Sequence, residues 1–232
     1  MKVYRGLENF KPLQHAVVTS GTFDGLHFGH LKILNRVREI ANRNNGESVL
    51  ITFWPHPRLV LFPEQTDLKL LTTLDEKIKL LEQFGIDHLL VIKFDKAFSR
   101  LTSQEFIQNI IIDKINTKSL VIGYDHRFGR NREGSFEYLQ ANQAAFGFEV
   151  EEIPKREIEE VAVSSTKIRK ALFNGKVEVA NEYLTHPFEL TGTVVKGKQL
   201  GRKIGYPTAN IEVEESYKLV PKNGIYAVHF SA

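Results

Sequence analysis

Short apolar runs alternate with helical periodicities along the first 185 residues. HAVVTSG (15–21) reads as a buried strand, LKILNRVREIANR (31–43) as an amphipathic helix and SVLITF (48–53) as a second strand. LDEKIKLLEQF (74–84) is helical and stops at Gly85, and HLLVIKF (88–94) is the next strand. Thr102 with Glu105 forms a capping box that opens a helix through Ile115, SLVIG (119–123) is a strand, and SFEYLQANQAAF (135–146) is a helix closed by Gly147. FEVEEI (148–153) is a fifth strand, and Ser164 and Ser165 open a pair of short helices to about Leu184. Parallel neighbours need crossover connections, so this alternation predicts an α/β fold with a doubly wound, Rossmann-like parallel sheet.

The grammar changes after His186-Pro187. FELTGTVV (188–195) alternates polar and apolar residues, the glycine-rich KGKQLGRKIGYPTAN follows, PKNG (221–224) leads into the strand GIYAVHF, and no helix pattern is present. Two domains are expected, 1–186 and 187–232, the second being part of an antiparallel β-barrel. A closed barrel of ordinary strands needs more residues than these, so this second unit is expected to be incomplete here.

Composition narrows the chemistry. Lys+Arg 31 against Asp+Glu 28 leaves +3, without the basic face of a nucleic-acid binder or the acidic excess of a disordered tail. The 42% hydrophobic and 25% charged residues describe a globular chain. With no cysteine, disulfides, thiolate nucleophiles, Cys-type zinc sites and iron–sulfur clusters are excluded. No apolar stretch has the length of a membrane span or a signal peptide, so a cytoplasmic protein with neither membrane nor nucleic-acid partner is expected. Oligomeric state is not legible.

Ligands of an open parallel sheet bind beyond the carboxyl ends of its strands. The loop after the first predicted strand is GTFDGLHFGH (21–30). His27 and His30 lie three apart at a helix start, with Gly29 between them to let a phosphate approach the backbone. This suits a triphosphate cradle better than an exposed capped turn or a zinc pair, since no third ligand or H-E-x-x-H is present. Neither a Walker A loop nor G-x-G-x-x-G occurs. After the second strand, TFWPHPRLVLF (52–62) concentrates Phe53, Trp54, Pro55, His56, Pro57 and Phe62, which fits stacking on a flat heterocycle or ordinary loop packing equally. GYDHRFGRNREG (123–134) gathers Arg127, Arg130 and Arg132 around Asp125, and VSSTKIRKAL (163–172) presents Ser164, Ser165 and Thr166 at a helix start with Arg169 a turn later.

G-x-F-D-G-x-H-x-G-H resembles the signature of the H-x-G-H nucleotidyltransferases, and its Thr22-Phe23-Asp24-Gly25 form is similar to the FAD synthetase branch. The W-P-H-P segment, G-Y-D-H-R-F-G, with His126 where the family usually has phenylalanine, and S-S-T-x-I-R follow in family order. Pro207-Thr208-Ala209-Asn210 within GRKIGYPTAN (201–210) resembles the P-T-A-N motif of riboflavin kinases, the partner domain of bacterial FAD synthetases.

The resemblance implies a transferase with substrates ATP, FMN and riboflavin and with magnesium, acting as FMN adenylyltransferase and, in the complete protein, as riboflavin kinase. It implies catalytic roles for His27, His30 and Arg169. ATP would meet Gly21, Thr22, Phe23, Asp24, His27, Gly29, His30, Asp125, Ser164, Ser165, Thr166 and Arg169. Flavin would meet Phe53, Trp54, Pro55, His56, Pro57, Phe62, Arg127 and Phe128. Gly201, Gly205, Pro207, Thr208 and Asn210 would hold the kinase nucleotide, with Thr208 and Asn210 on the metal. The family's catalytic glutamate lies beyond Ala232, so this polypeptide alone is expected not to phosphorylate riboflavin. The alternatives are a transferase for another acceptor, against which W-P-H-P and P-T-A-N argue, or a nucleotide- or flavin-binding regulatory module that lost turnover, against which the intact histidines argue.

Overall fold

The computed structural model describes residues 1–64, 67–155 and 163–231. Six parallel strands, β1 (Lys2–Arg5), β2 (Ala16–Ser20), β3 (Glu47–Trp54), β4 (His88–Lys93), β5 (Thr117–Gly123) and β6 (Glu149–Ile153), form one sheet in the order β1-β4-β3-β2-β5-β6. The five strands read from hydrophobic runs are all present. The edge strand β1 escaped that reading because KVYR is short, charged and largely exposed; only Tyr4 packs inward, edge-on against Phe10. Helices cover both faces, as a doubly wound sheet requires.

Helix α1 (Phe28–Arg43) and the helix α3 (Leu74–Gln83) bury Leu34, Val37, Leu80 and Leu81 on one face. On the other, α4 (Ser103–Phe106) starts at the expected Thr102–Glu105 box, then widens over Ile107–Ile112 into i→i+5 hydrogen bonds, such as Asp113 N to Gln108 O at 2.9 Å. The widened turns bury Ile107, Ile110 and Ile111 beside Leu139 of α5 (Phe136–Phe146), which Gly147 closes in the left-handed conformation. The short α2 (Pro57–Leu61) lies within the aromatic loop after β3, and α6 (Ser165–Phe173) and α7 (Val177–Leu184) form the expected terminal helix pair.

The chain changes direction between β2 and β5. Crossover connections lead from β2 toward β3 on one side, whereas β5 and β6 lie on the other, so a crevice opens at the carboxyl ends of these two central strands.

Beyond residue 187 the pairing is sparser than the alternation predicts. Among the described residues there, the strands that pair with each other are β7 (Thr193–Val195) and β8 (Asn210–Glu212), antiparallel, and a short helix α8 (Leu200–Lys203) stands where no helix was expected. Residues 225–231 are unpaired although GIYAVHF has strand composition; a strand exists only where a neighbour completes its hydrogen bonds, and Ile225, Val228 and Phe230 are exposed. No helix among the described residues is long and apolar enough to cross a membrane.

One part of this C-terminal region is firmly attached to the large sheet unit. Leu70 N donates to Tyr217 O (2.7 Å) and Leu219 N to Leu70 O (2.8 Å), while Lys218 Nζ reaches Leu71 O (2.7 Å) and Glu76 (2.6 Å). Glu76 also closes the capping box of α3 with Thr73 and accepts from Thr191 N. Lys218 and Glu76 are both buried, with side chains 1% and 3% exposed. Removing one member of such a pair strands the other without water. Lys218→Met should therefore cost about 3–5 kcal/mol in urea denaturation, and adding Glu76→Gln should restore most of it. A loss below about 1 kcal/mol for Lys218→Met would contradict this attachment.

Candidate active site

The loop after β2 folds through two residues rarely found with positive φ, Phe23 at 46° and Leu26 at 44°, and through Gly25 at 84°. A Cβ on Gly25 would lie 2.6 Å from Leu71 Cδ1, so the glycine is required both for its dihedral and for close approach. What holds this contorted loop is Asp24. Its carboxylate is buried and accepts from Leu71 N (2.9 Å), Thr72 N (3.1 Å) and the Thr72 hydroxyl (3.3 Å), and pairs with Arg169 Nη2 at 2.6 Å. Arg169 Nε donates to Lys69 O (2.7 Å), and Ser165 Oγ donates to Asp24 O (3.0 Å). The first and last motifs, 141 residues apart, are thus bound to each other and to residues 69–72.

His27 is the N-cap residue of α1, and His30 lies one turn in. Their rings stack with centroids 3.7 Å apart and planes at 15°, and Phe23 packs on His30 at 4.9 Å. The structure buries His27 at 6% exposure and half-buries His30. Burial holds His27 down to about 4 and His30 well below the ordinary imidazole range, so both are neutral at pH 7. Both Nδ1 atoms are buried without a hydrogen-bond partner. Orphaned imidazole nitrogens at the amino end of a 16-residue helix mark a position where a ligand can complete the bonding.

The second-strand motif divides. Trp54 faces the α1/α3 side, edge-on to Tyr217 at 5.3 Å, whereas Phe53 packs among Phe94, Phe98 and Phe106 on the opposite side, as alternation along a strand dictates. The Trp54–Pro55 peptide is cis. His56 is buried and caps α2, its Nδ1 accepting from Arg58 N (3.2 Å), and burial lowers it to about 4; Pro57 is the first helical residue and Phe62 is half-exposed.

After β5, Asp125 is exposed and Arg127 donates to the carbonyl of His126. His126 fills the usual phenylalanine position by stacking on Phe128 at 5.7 Å, with its Nε2 3.3 Å from the Ser20 hydroxyl. Held neutral by burial, at about 4, it retains aromatic packing and gains a link to the end of β2. Phe128 also contacts Phe106 and is bridged to Gly134. In the fourth motif, Ser164 caps α6 by accepting from Lys167 N, and Thr166 is exposed. Gly201 lies in the short helix α8 and is half-buried, Asn210 begins β8, and Gly205, Pro207 and Thr208 lie between them; these last three and Asn210 are exposed.

Two features were invisible to motif reading. Lys77 is buried on α3, and its Nζ donates to Thr22 O at 2.6 Å; within LDEKIKLLEQF it reads as one of the polar positions of an amphipathic helix. The Lys69–Thr72 segment has no chemistry of its own, yet its backbone organises Asp24 and Arg169. No cluster of three or more His, Asp or Glu side chains capable of holding a metal is present among the described residues.

Comparison with known proteins agrees with this geometry. The FAD synthetase family model matches residues 10–167, and the riboflavin kinase model matches residues 184–232. A bifunctional riboflavin kinase/FMN adenylyltransferase of Buchnera aphidicola subsp. Schizaphis graminum is 41% identical over 100% of this chain and 74% of its own length. Proteins of the same name from Listeria monocytogenes and Escherichia coli K12 are 38% and 37% identical, over 92% and 98% of this chain and 67% and 72% of theirs. A crystal structure described as a macrolide-efflux protein from Streptococcus pneumoniae superposes with a TM-score of 0.84 at 31% identity, covering 97% of this chain and 73% of that one. The chain belongs to the family of bifunctional riboflavin kinase/FMN adenylyltransferases.

Proposed function

We propose that residues 1–186 form the FMN adenylyltransferase unit, transferring AMP from ATP to FMN to give FAD and pyrophosphate, and that residues 187–232 belong to a unit that phosphorylates riboflavin to FMN. The single observation that carries the first reading is the union of the H-x-G-H loop with the S-S-T-x-I-R helix through Asp24, Arg169 and Ser165, with two unpaired histidine nitrogens at the helix start. The family-model boundaries at 167 and 184 support the division near 187.

Transfer between phosphates needs positioning and charge stabilisation more than a protein nucleophile. An oxygen of the FMN phosphate attacks the α-phosphorus, the bond to the bridging oxygen breaks, and pyrophosphate leaves with the electron pair. His27 and His30, being neutral, act here as oriented N–H donors to the α-phosphate and leaving group. Ser165, Thr166 and the amino end of α6 take the β and γ phosphates. Arg169 spends Nε and one terminal nitrogen inside the protein and has the other terminal nitrogen for phosphate. Asp24 serves ATP by holding the loop rather than by touching the nucleotide. Gly21 to Phe23 and Asp125 place adenosine, Gly29 lets the phosphates approach the backbone, and Trp54, His56, Phe62 and Arg127 border the flavin.

Magnesium suits the kinase motif by donor chemistry: Thr208 offers a hydroxyl and Asn210 an amide oxygen, both exposed, and magnesium takes few protein oxygens, filling its shell with water and substrate phosphates. When bound it would neutralise polyphosphate charge. The bond-making groups of the adenylyl transfer are those of the first unit.

The purified chain should convert FMN and ATP to FAD with release of pyrophosphate, followed by chromatography of the flavins. His27→Ala or His30→Ala should lower that rate by about 100-fold or more, the scale of losing one preorganised donor, with circular dichroism unchanged. Near-normal turnover in either variant contradicts the phosphate cradle. Trp54 is the only tryptophan, so FMN addition should quench the protein's indole fluorescence; an unchanged signal contradicts the flavin placement.

A further inference from the structure

The buried charges of the site do not balance. Asp24 is answered by Arg169, and Glu76 by Lys218, each at 2.6 Å. The four histidines around the crevice, His27, His30, His56 and His126, are neutral. Lys77 remains. Its side chain is 2% exposed, and no carboxylate lies within ion-pair distance of it among the described residues. Its Nζ has one hydrogen bond, to Thr22 O at 2.6 Å, and the Trp54 ring centroid lies 5.8 Å away.

A carbonyl and an aromatic face are weak compensation for an ammonium removed from water. Burial accordingly pulls Lys77 down to about 8, with Asp24 acting in the opposite sense, which still leaves it mostly protonated at pH 7. A buried cation in surplus is satisfied when an anion enters beside it. The position identifies that anion. Thr22 belongs to the loop assigned to ATP and Trp54 to the loop assigned to flavin, so a group touching both lies where the two substrates meet. There, two phosphates must approach each other against their mutual repulsion.

Resting on the adenylyltransferase reading, we propose that Lys77 is a catalytic residue: its ammonium contacts the FMN phosphate and neutralises it as one of its oxygens bonds to the α-phosphorus of ATP. Lys77 stays protonated throughout, and the electron pair of the broken bond leaves with pyrophosphate. Among the described residues, two of its three N–H donors are not engaged, and small rotations of the lysine stem re-aim them while Thr22 O keeps the third. The same contact distinguishes FMN from riboflavin, which carries no phosphate to pair with the cation.

Lys77→Met tests this, because methionine fills the stem's volume and removes an unpaired buried charge, so the thermal midpoint should not fall. With binding read at Trp54, the variant should lose at least about 10-fold in FMN affinity while riboflavin affinity stays within 3-fold of wild type, and FAD formation should fall by about 100-fold or more. Lys77→Arg, which restores a cation, should recover part of the discrimination. Should Lys77→Met not fold, Lys77→Gln, which keeps a donor for Thr22 O, gives the same readings. Unchanged preference for FMN over riboflavin together with near-normal turnover overturns the proposal, as does an equal loss of both flavins, which marks Lys77 as a structural tie of the Thr22 loop. If wild-type protein forms no FAD, it is the functional reading that fails; FMN-over-riboflavin discrimination then still decides Lys77.

Discussion

A single buried carboxylate organises this molecule. Asp24 lies in the loop after β2, accepts from two consecutive backbone amides at Leu71 and Thr72, and neutralises Arg169 from α6. An ionised carboxylate removed from water is tolerated only with such partners, and so three remote stretches of chain are drawn to one point. The segment fixed in this way, Lys69–Thr72, carries the effect outward. Its other edge pairs with Tyr217 and Leu219, and Leu71 O accepts from Lys218. The C-terminal region is therefore seated on the same few residues that hold the loop after β2.

The second property of the site is its charge economy. Burial keeps its histidines neutral, so stacked His27 and His30 can lie 3.7 Å apart without the repulsion two imidazolium rings would suffer. Neutral donors suit a reaction that gathers several anionic phosphates, because they supply directed hydrogen bonds without trapping products by net charge. Positive charge is instead concentrated in Arg169, tethered to Asp24, and in Lys77, which among the described residues has no carboxylate within ion-pair distance. Backbone strain at Phe23 and Leu26 is maintained by the same anchors, and it aims the loop toward the start of α1.

Much of this was legible in the sequence, for physical reasons. Buried parallel strands must be continuous apolar runs, so the four inner strands β2, β3, β4 and β5 could be read, while the edge strand β6 was legible from its alternation; the Thr102–Glu105 box and the Gly147 stop could be read as well. The loop motifs were legible because few sequences place glycine, aspartate and two histidines between a buried strand and a helix. What could not be read were interactions created by tertiary contact. Asp24 looked like a nucleotide ligand, and its bonds to Leu71 and Thr72 depend on backbone 47 and 48 residues away. Lys77 was one of two lysines on an amphipathic helix, and only packing shows that it points inward. Phe53 and Trp54 are adjacent in sequence and fall on opposite faces. The strand β1 and the unpaired 225–231 segment fail the pattern in opposite ways, one formed without an apolar run and one apolar without a neighbour.

If Asp24 and Arg169 are the anchor, their energetic coupling should be large and directly measurable. Urea denaturation of Asp24→Asn, Arg169→Met and the double variant forms a closed cycle in which each single change leaves its partner buried and unmatched. The account predicts that each single variant loses about 3 kcal/mol or more, and that the double loses well under the sum, a coupling above about 1.5 kcal/mol. Additive losses, within about 0.5 kcal/mol, would contradict it: the two residues would then be independent supports, and the site would be held together by something else.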